Sequence, residues 1–71
     1  MEIPLKEQDR IRHLIYSEIS MGNWKSEIRY EDYFIKYISF FGWVRGSIYG
    51  LEGKICDIRG KYPFEDIKFK K

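Results

Sequence analysis

Residues 34–49 read Phe-Ile-Lys-Tyr-Ile-Ser-Phe-Phe-Gly-Trp-Val-Arg-Gly-Ser-Ile-Tyr, and the fold depends on how this stretch is placed. Aromatic and β-branched side chains lose rotamer freedom in a helix and pack well on a pleated surface, so the segment reads as strand. Gly42 and Gly46 interrupt it. Glycine inside a strand marks a bulge, a tight bend or a close backbone approach. The expectation is one long strand bent at these two positions. Alternation puts Ile35, Tyr37 and Phe41 on one side and Phe34, Ile38 and Phe40 on the other. Both sides are apolar, so the side away from the core needs a cover: the helix, another subunit or a partner.

Toward the N-terminus the period changes at Gly22. Ile11, Leu14, Ile15 and Ile19 fall at spacings of three and four, which makes one stripe of an amphipathic helix over residues 6–21. Glu7 and Asp9 lie in its first turn, where carboxylates favour the positive end of the helix dipole. Pro4 is tolerated at or before the start, and Gly22 is placed to cap the end. Arg10, Arg12, His13 and Ser17 fall on the polar side and read as solvated.

After Gly22 the period is two. Ile28 and Tyr30 alternate with Glu27 and Arg29, and Glu31-Asp32 offers a turn. Beyond the long strand, Gly50-Leu51-Glu52-Gly53 turns into Lys54–Ile58. Arg59-Gly60 turns again into Lys61-Tyr62-Pro63, an edge position because proline cannot donate to a ladder. Ile67-Lys68-Phe69 closes the chain. The result is a single α+β domain over residues 1–71, with a helix at 6–21 and strands within 27–69. Its sheet is a strongly bent five-stranded antiparallel sheet or a partly open Sm-like barrel.

Seventy-one residues bury only about 60% of the surface that the unfolded chain exposes. Cys56 is the single cysteine, so no internal disulfide supports the fold. Stability must come from packing, to which an aromatic content of 18% contributes large buried areas per residue. No apolar run resembles a signal peptide or a membrane span, which leads to the expectation of a cytoplasmic protein that does not contact membranes. Thirteen Lys and Arg stand against 11 Asp and Glu, interspersed along the chain. That net charge of +2 is too weak a bias to indicate nucleic acid. Only Lys68-Phe69-Lys70-Lys71 is locally basic, and it reads as a solvated end.

Four runs carry a resemblance: Ile15-Tyr16-Ser17-Glu18-Ile19, then Glu27 through Ile38, then Gly42-Trp43-Val44, and Tyr62-Pro63-Phe64-Glu65-Asp66-Ile67. Across residues 11–69 the chain resembles the YolD-like family, whose members read as a helix, a strand with a polar turn, a glycine-started strand and a closing Pro-Phe-acid-acid-Ile segment. The resemblance implies an Sm-like barrel and a non-catalytic accessory protein, since such proteins are linked with error-prone DNA polymerases in Gram-positive bacteria and their phages. Tyr33 stands where the family prefers glycine, Phe40-Phe41 reads as an insertion, and no counterpart of the family's basic N-terminal extension is expected before the helix.

Residues for chemistry are few. His13 is the only histidine and Cys56 the only cysteine, so a zinc site of several N or S ligands is not expected within one chain. A nucleophilic Cys–His pair would need Cys56 on a strand to meet His13 on the polar side of the helix. Glu65 and Asp66 are adjacent and point to opposite faces of an extended chain. The glycines punctuate strands and open no helix, so no phosphate loop or dinucleotide motif is present. The expectation is no enzyme, no metal and no cofactor.

Recognition remains. The first expectation is an adaptor or inhibitor that binds a protein of the replication, repair or transcription machinery, through Tyr37, Phe40, Phe41, Trp43 and Arg45. The second is a single-stranded RNA or DNA binder, in which aromatic rings stack bases beside Arg29, Lys36, Arg45, Arg59 and Lys61. The third is a homo-oligomer whose strands pair edge to edge as in Sm-like rings.

Overall fold

The computed structural model describes residues 3–61 and 67–70. A helix, α1 (Leu5–Ser20), precedes five strands: β1 (Lys25–Tyr30), β2 (Tyr33–Phe40), β3 (Trp43–Gly50), β4 (Gly53–Lys61) and β5 (Lys68–Lys70). Each strand pairs antiparallel with its neighbour in sequence, so the sheet order is β1-β2-β3-β4-β5. The α+β architecture is the expected one. Among the described residues β1 and β5 are unpaired edges, so the chain forms a bent open sheet.

The helix forms where its stripe lies. Ile11 and Ile15 are fully buried, and Ile19 packs beside them. Its end is a Schellman motif. Gly22, at φ 91°, donates its N–H to Ile19 O, and Asn23 N–H reaches Glu18 O, both at 2.9 Å. Arg12 is not solvated as its polar position suggests. Its Nε donates to Ile67 O at 2.8 Å, its Nη1 pairs with Asp9 at 2.7 Å, and its guanidinium lies 5.0 Å from the Phe69 ring. It fastens the helix to the last strand.

Five strands are expected and five are found, with two corrections to their bounds. Residues 34–49 are a hairpin and not one bent strand. Phe40 pairs with Trp43 across a two-residue turn at Phe41-Gly42. Both turn residues have positive φ, 47° and 78°, the signature of a type I′ turn, whose twist suits a hairpin. The expected turn at Arg59-Gly60 does not occur, and β4 runs through both residues. Gly60 serves a close approach instead, because a Cβ there would lie 2.7 Å from Ile67 Cα. Residues 62–66, which include the Pro-Phe-acid-acid part of the closing motif and the expected edge proline, lie outside the described residues.

The inner side of the sheet and the helix stripe share one core. Ile35, Val44, Ile48, Cys56, Ile58 and Ile67 meet Ile3, Ile11 and Ile15 there. Tyr37, expected in a partner-binding patch, belongs to this core at 4% exposure. It lies opposite Gly46 on β3, where no side chain competes for the space. Its hydroxyl donates to Asn23 O and ties the helix-to-sheet connection down.

Burial, and then the Glu18 carboxylate, push the Tyr37 phenol from the ordinary 10 up to about 12. The folded state therefore favours the protonated phenol. Its contribution is complete below pH 10 and is lost as pH rises toward 12. Urea unfolding midpoints should fall across that interval, and by less in Tyr37→Phe. The variant starts about 1 kcal/mol less stable because a hydrogen bond is gone. Tyr30 and Tyr33 shift upward too, chiefly by burial, so part of the loss persists. If the pH dependence of Tyr37→Phe equalled that of the wild type, Tyr37 would not be its cause.

Candidate nucleic-acid interface

Alternation in the strands sorts the charges. The five strands contain nine Lys and Arg against two acids, Glu27 and Asp57, and all eleven are exposed. Strand residues that face the helix are apolar or small, so the charged ones turn to the opposite side. The strands thus carry +7 in a chain whose net charge is +2. The surplus acids lie on the helix, in the turns and near the ends.

The register aligns these charges in rows across the sheet. One row runs Lys25–Ile38–Arg45–Arg59–Lys68 from edge to edge. Arg45, Arg59 and Lys68 are direct cross-strand neighbours in it, a like-charge arrangement that destabilises an isolated sheet. None of the three has an ion-pair partner among the described residues. The next row runs Glu27–Lys36–Ser47–Asp57–Lys70. Asp57 is already engaged: Ser47 Oγ donates to it and Lys54 Nζ pairs with it, each at 2.9 Å. Lys54, and then Ser47, hold its carboxyl below the usual range. Glu27 lies toward the β1 edge. Between β2 and β5 the centre of this face is a shallow depression of about 510 Å³, lined by Ile38, Arg45, Ser47, Asp57, Arg59 and Lys70 around Gly46.

Aromatic rings flank the rows on both sides, toward the two ends of the strands. Phe34 pairs with Tyr49, and Lys36 Nζ lies 5.9 Å from each ring. Phe40 pairs with Trp43, and Lys61 Nζ lies 5.6 Å from the indole. Phe40 and Trp43 are 42% and 44% exposed. The ammonium groups thus stand beside ring faces, placing a cation where a phosphate would be when a base stacks on the ring. The two ends differ. At one, the turns contribute Glu31, Asp32 and Glu52. At the other stand Phe41, exposed at the hairpin tip, and Trp24 and Met21 at the helix-to-sheet connection.

Eight of the nine residues named from the sequence for partner or nucleic-acid contact lie on this face or its tip: Arg29, Lys36, Phe40, Phe41, Trp43, Arg45, Arg59 and Lys61 are there, and Tyr37 is not. Sequence reasoning placed Phe34 on one side with Ile38 and Phe40, as found, and missed Lys25, Lys54, Lys68, Lys70 and Tyr49 as members of the same surface. Period-two alternation was the available signal, since each of the charged strand residues flanks an inward apolar or small one.

The sequence's one histidine and one cysteine lie away from this face. His13 is exposed on the helix and Cys56 is buried under the sheet, where desolvation raises its thiol above the ordinary range. Among the described residues no group of three or more His, Cys, Asp or Glu could hold a metal ion, and no helix is long and apolar enough to cross a membrane. No family model, curated protein or solved structure matches the chain. The resemblance to the YolD-like family therefore rests on the residues quoted for it.

Proposed function

We propose that the protein is a non-catalytic binding module for single-stranded nucleic acid, which it takes on the outer face of its sheet. The carrying observation is the opposed row Arg45–Arg59–Lys68. It places side by side like charges that have no ion-pair partner among the described residues, at a cost to the free fold that a polyanion would relieve. Exposed Phe40 and Trp43, with Phe34 and Tyr49, add rings on which bases stack without regard to sequence. An open, solvated sheet face suits unpaired strands, whose bases are free to splay onto it. The YolD-like resemblance, with its association with DNA polymerases, is compatible with such an accessory role.

Fluorescence anisotropy with labelled dT and rU oligonucleotides of about 12 residues, within the range of single-strand site sizes, tests this. Affinity should fall steeply with salt: about five phosphates contacted give a log–log slope of about −3.5, roughly a hundredfold loss between about 50 and about 200 mM. No binding at the lower salt would remove the proposal.

One observation favours a second reading, a protein-binding adaptor. Phe41, Trp24 and Met21 are exposed by 96%, 59% and 65% at one end of the molecule, the kind of apolar anchor that protein interfaces use. A lysate pull-down with nuclease at two salt concentrations separates the two. A single protein retained through both treatments, and lost with Phe40→Ala, Phe41→Ala and Trp43→Ala together, selects the adaptor.

A further inference from the structure

We infer that Phe41 is a wedge that meets the first base pair where a bound single strand enters a duplex, a role that rests on the single-strand reading of the adjoining face. Three observations converge on it. Phe41 is 96% exposed, and its ring contact, edge-on to Phe40 at 6.3 Å, lies within the same turn. It therefore adds little to the fold's core. It is also held at φ 47°, a left-handed conformation that is unfavourable for a bulky residue. Asparagine is the preferred residue at this place before a glycine in a type I′ turn. A side chain that costs stability and fills no core space is accounted for by a contact outside the chain. Finally, the tip continues the basic surface: Phe40 and Trp43 flank the turn, and Lys61 stands beside Trp43.

Shape then narrows the occupant. The tip is a convex apolar point at the end of the two central strands, not a flat platform or a groove. A nucleic acid held along the cationic rows by its unpaired part would present its duplex end to this point. Apolar side chains of this kind insert against base steps and unstack them.

The test uses a DNA hairpin with a single-stranded tail, carrying 2-aminopurine in the first base pair, together with the tail alone. The wild type should bind the tailed hairpin roughly tenfold more tightly than the tail, as expected for one additional stacked ring, and should raise the 2-aminopurine fluorescence. Phe41→Asn should unfold at a higher temperature than the wild type, keep the affinity for the tail, and lose both the tenfold preference and the fluorescence change. The wedge is overturned if Phe41→Asn keeps the preference, or if the wild type binds the tail but shows no preference for the junction. A lower unfolding temperature for Phe41→Asn also overturns it, since the strained turn is then not held for function. Absence of binding to the tail itself refutes the single-strand reading on which the wedge depends.

Discussion

Replacing Gly46 with alanine is expected to unfold the domain or to force its sheet into another register. A Cβ at this position would stand 2.1 Å from the Lys36 carbonyl oxygen and 2.9 Å from Tyr37 Cα. Both are backbone atoms of the adjacent strand β2, and neither can move without breaking the ladder that Ile35, Tyr37 and Ser39 use to face the core. Overpacking of a sound core costs about 1–3 kcal/mol when side chains can yield, and here they cannot. A domain of this size has roughly 4–10 kcal/mol in all, so the substitution removes most of it. Gly22→Ala gives the contrast: its φ of 91° is unfavourable for alanine, but a Cβ would meet nothing within 4 Å. Its cost should be about 1 kcal/mol. Circular dichroism with urea titration measures both. A Gly46→Ala protein with the wild-type midpoint would mean that β2 and β3 do not approach as closely as described.

Reversing charge at Arg59 should move stability and binding in opposite directions. Arg59 lies between Arg45 and Lys68 in its cross-strand row. Glutamate in its place turns two repulsions into two attractions, and cross-strand charge pairs are worth about 0.2–1 kcal/mol each. Arg59→Glu should therefore unfold at higher urea than the wild type. The same change removes a phosphate contact and adds a repelling carboxylate, and affinity for an oligonucleotide should drop about tenfold. With Arg45→Glu added the loss should reach about a hundredfold, and the salt slope should become shallower in proportion to the contacts removed. If Arg59→Glu destabilised the fold, the opposed row would be a structural element and not a binding one. Oligonucleotide affinity unchanged in the double variant would remove the face from the interface.

The helix and its end were readable from the sequence, because both are local. Stripe spacing and a C-terminal glycine need no knowledge of the rest of the fold, and the structure places the helix within one residue of the expected span at each end. The hairpin at Phe41-Gly42 was hidden because its first turn residue is phenylalanine. Turn chemistry normally announces itself by asparagine or aspartate before glycine, so an aromatic there extends the apparent strand. Gly60 misled in the opposite sense. Beside Arg59 it looks like a turn, but its lack of a side chain answers to Ile67, a neighbour that only tertiary structure supplies. Tyr37 was assigned to a surface because its strand is apolar on both sides, and the empty place opposite it at Gly46 cannot be read without the register. The candidate face was concealed by averaging: cations and acids alternate along the chain and nearly cancel, yet the pleat sends the strand cations to one side.

Because every strand pairs with its sequence neighbour, consecutive hairpins can close across short turns, and the loop entropy lost at each closure is small. The slow contacts are those that span the chain, such as the bond from Arg12 to Ile67 O, 55 residues apart. Topologies dominated by short-range pairing fold quickly for their strand content, and the long-range clasp of helix onto last strand falls late in the order of assembly. The cationic face belongs to the strands alone. Its like charges oppose one another across β3, β4 and β5, so the face takes its final form only when the helix has sealed the core beneath it and holds the sheet in register.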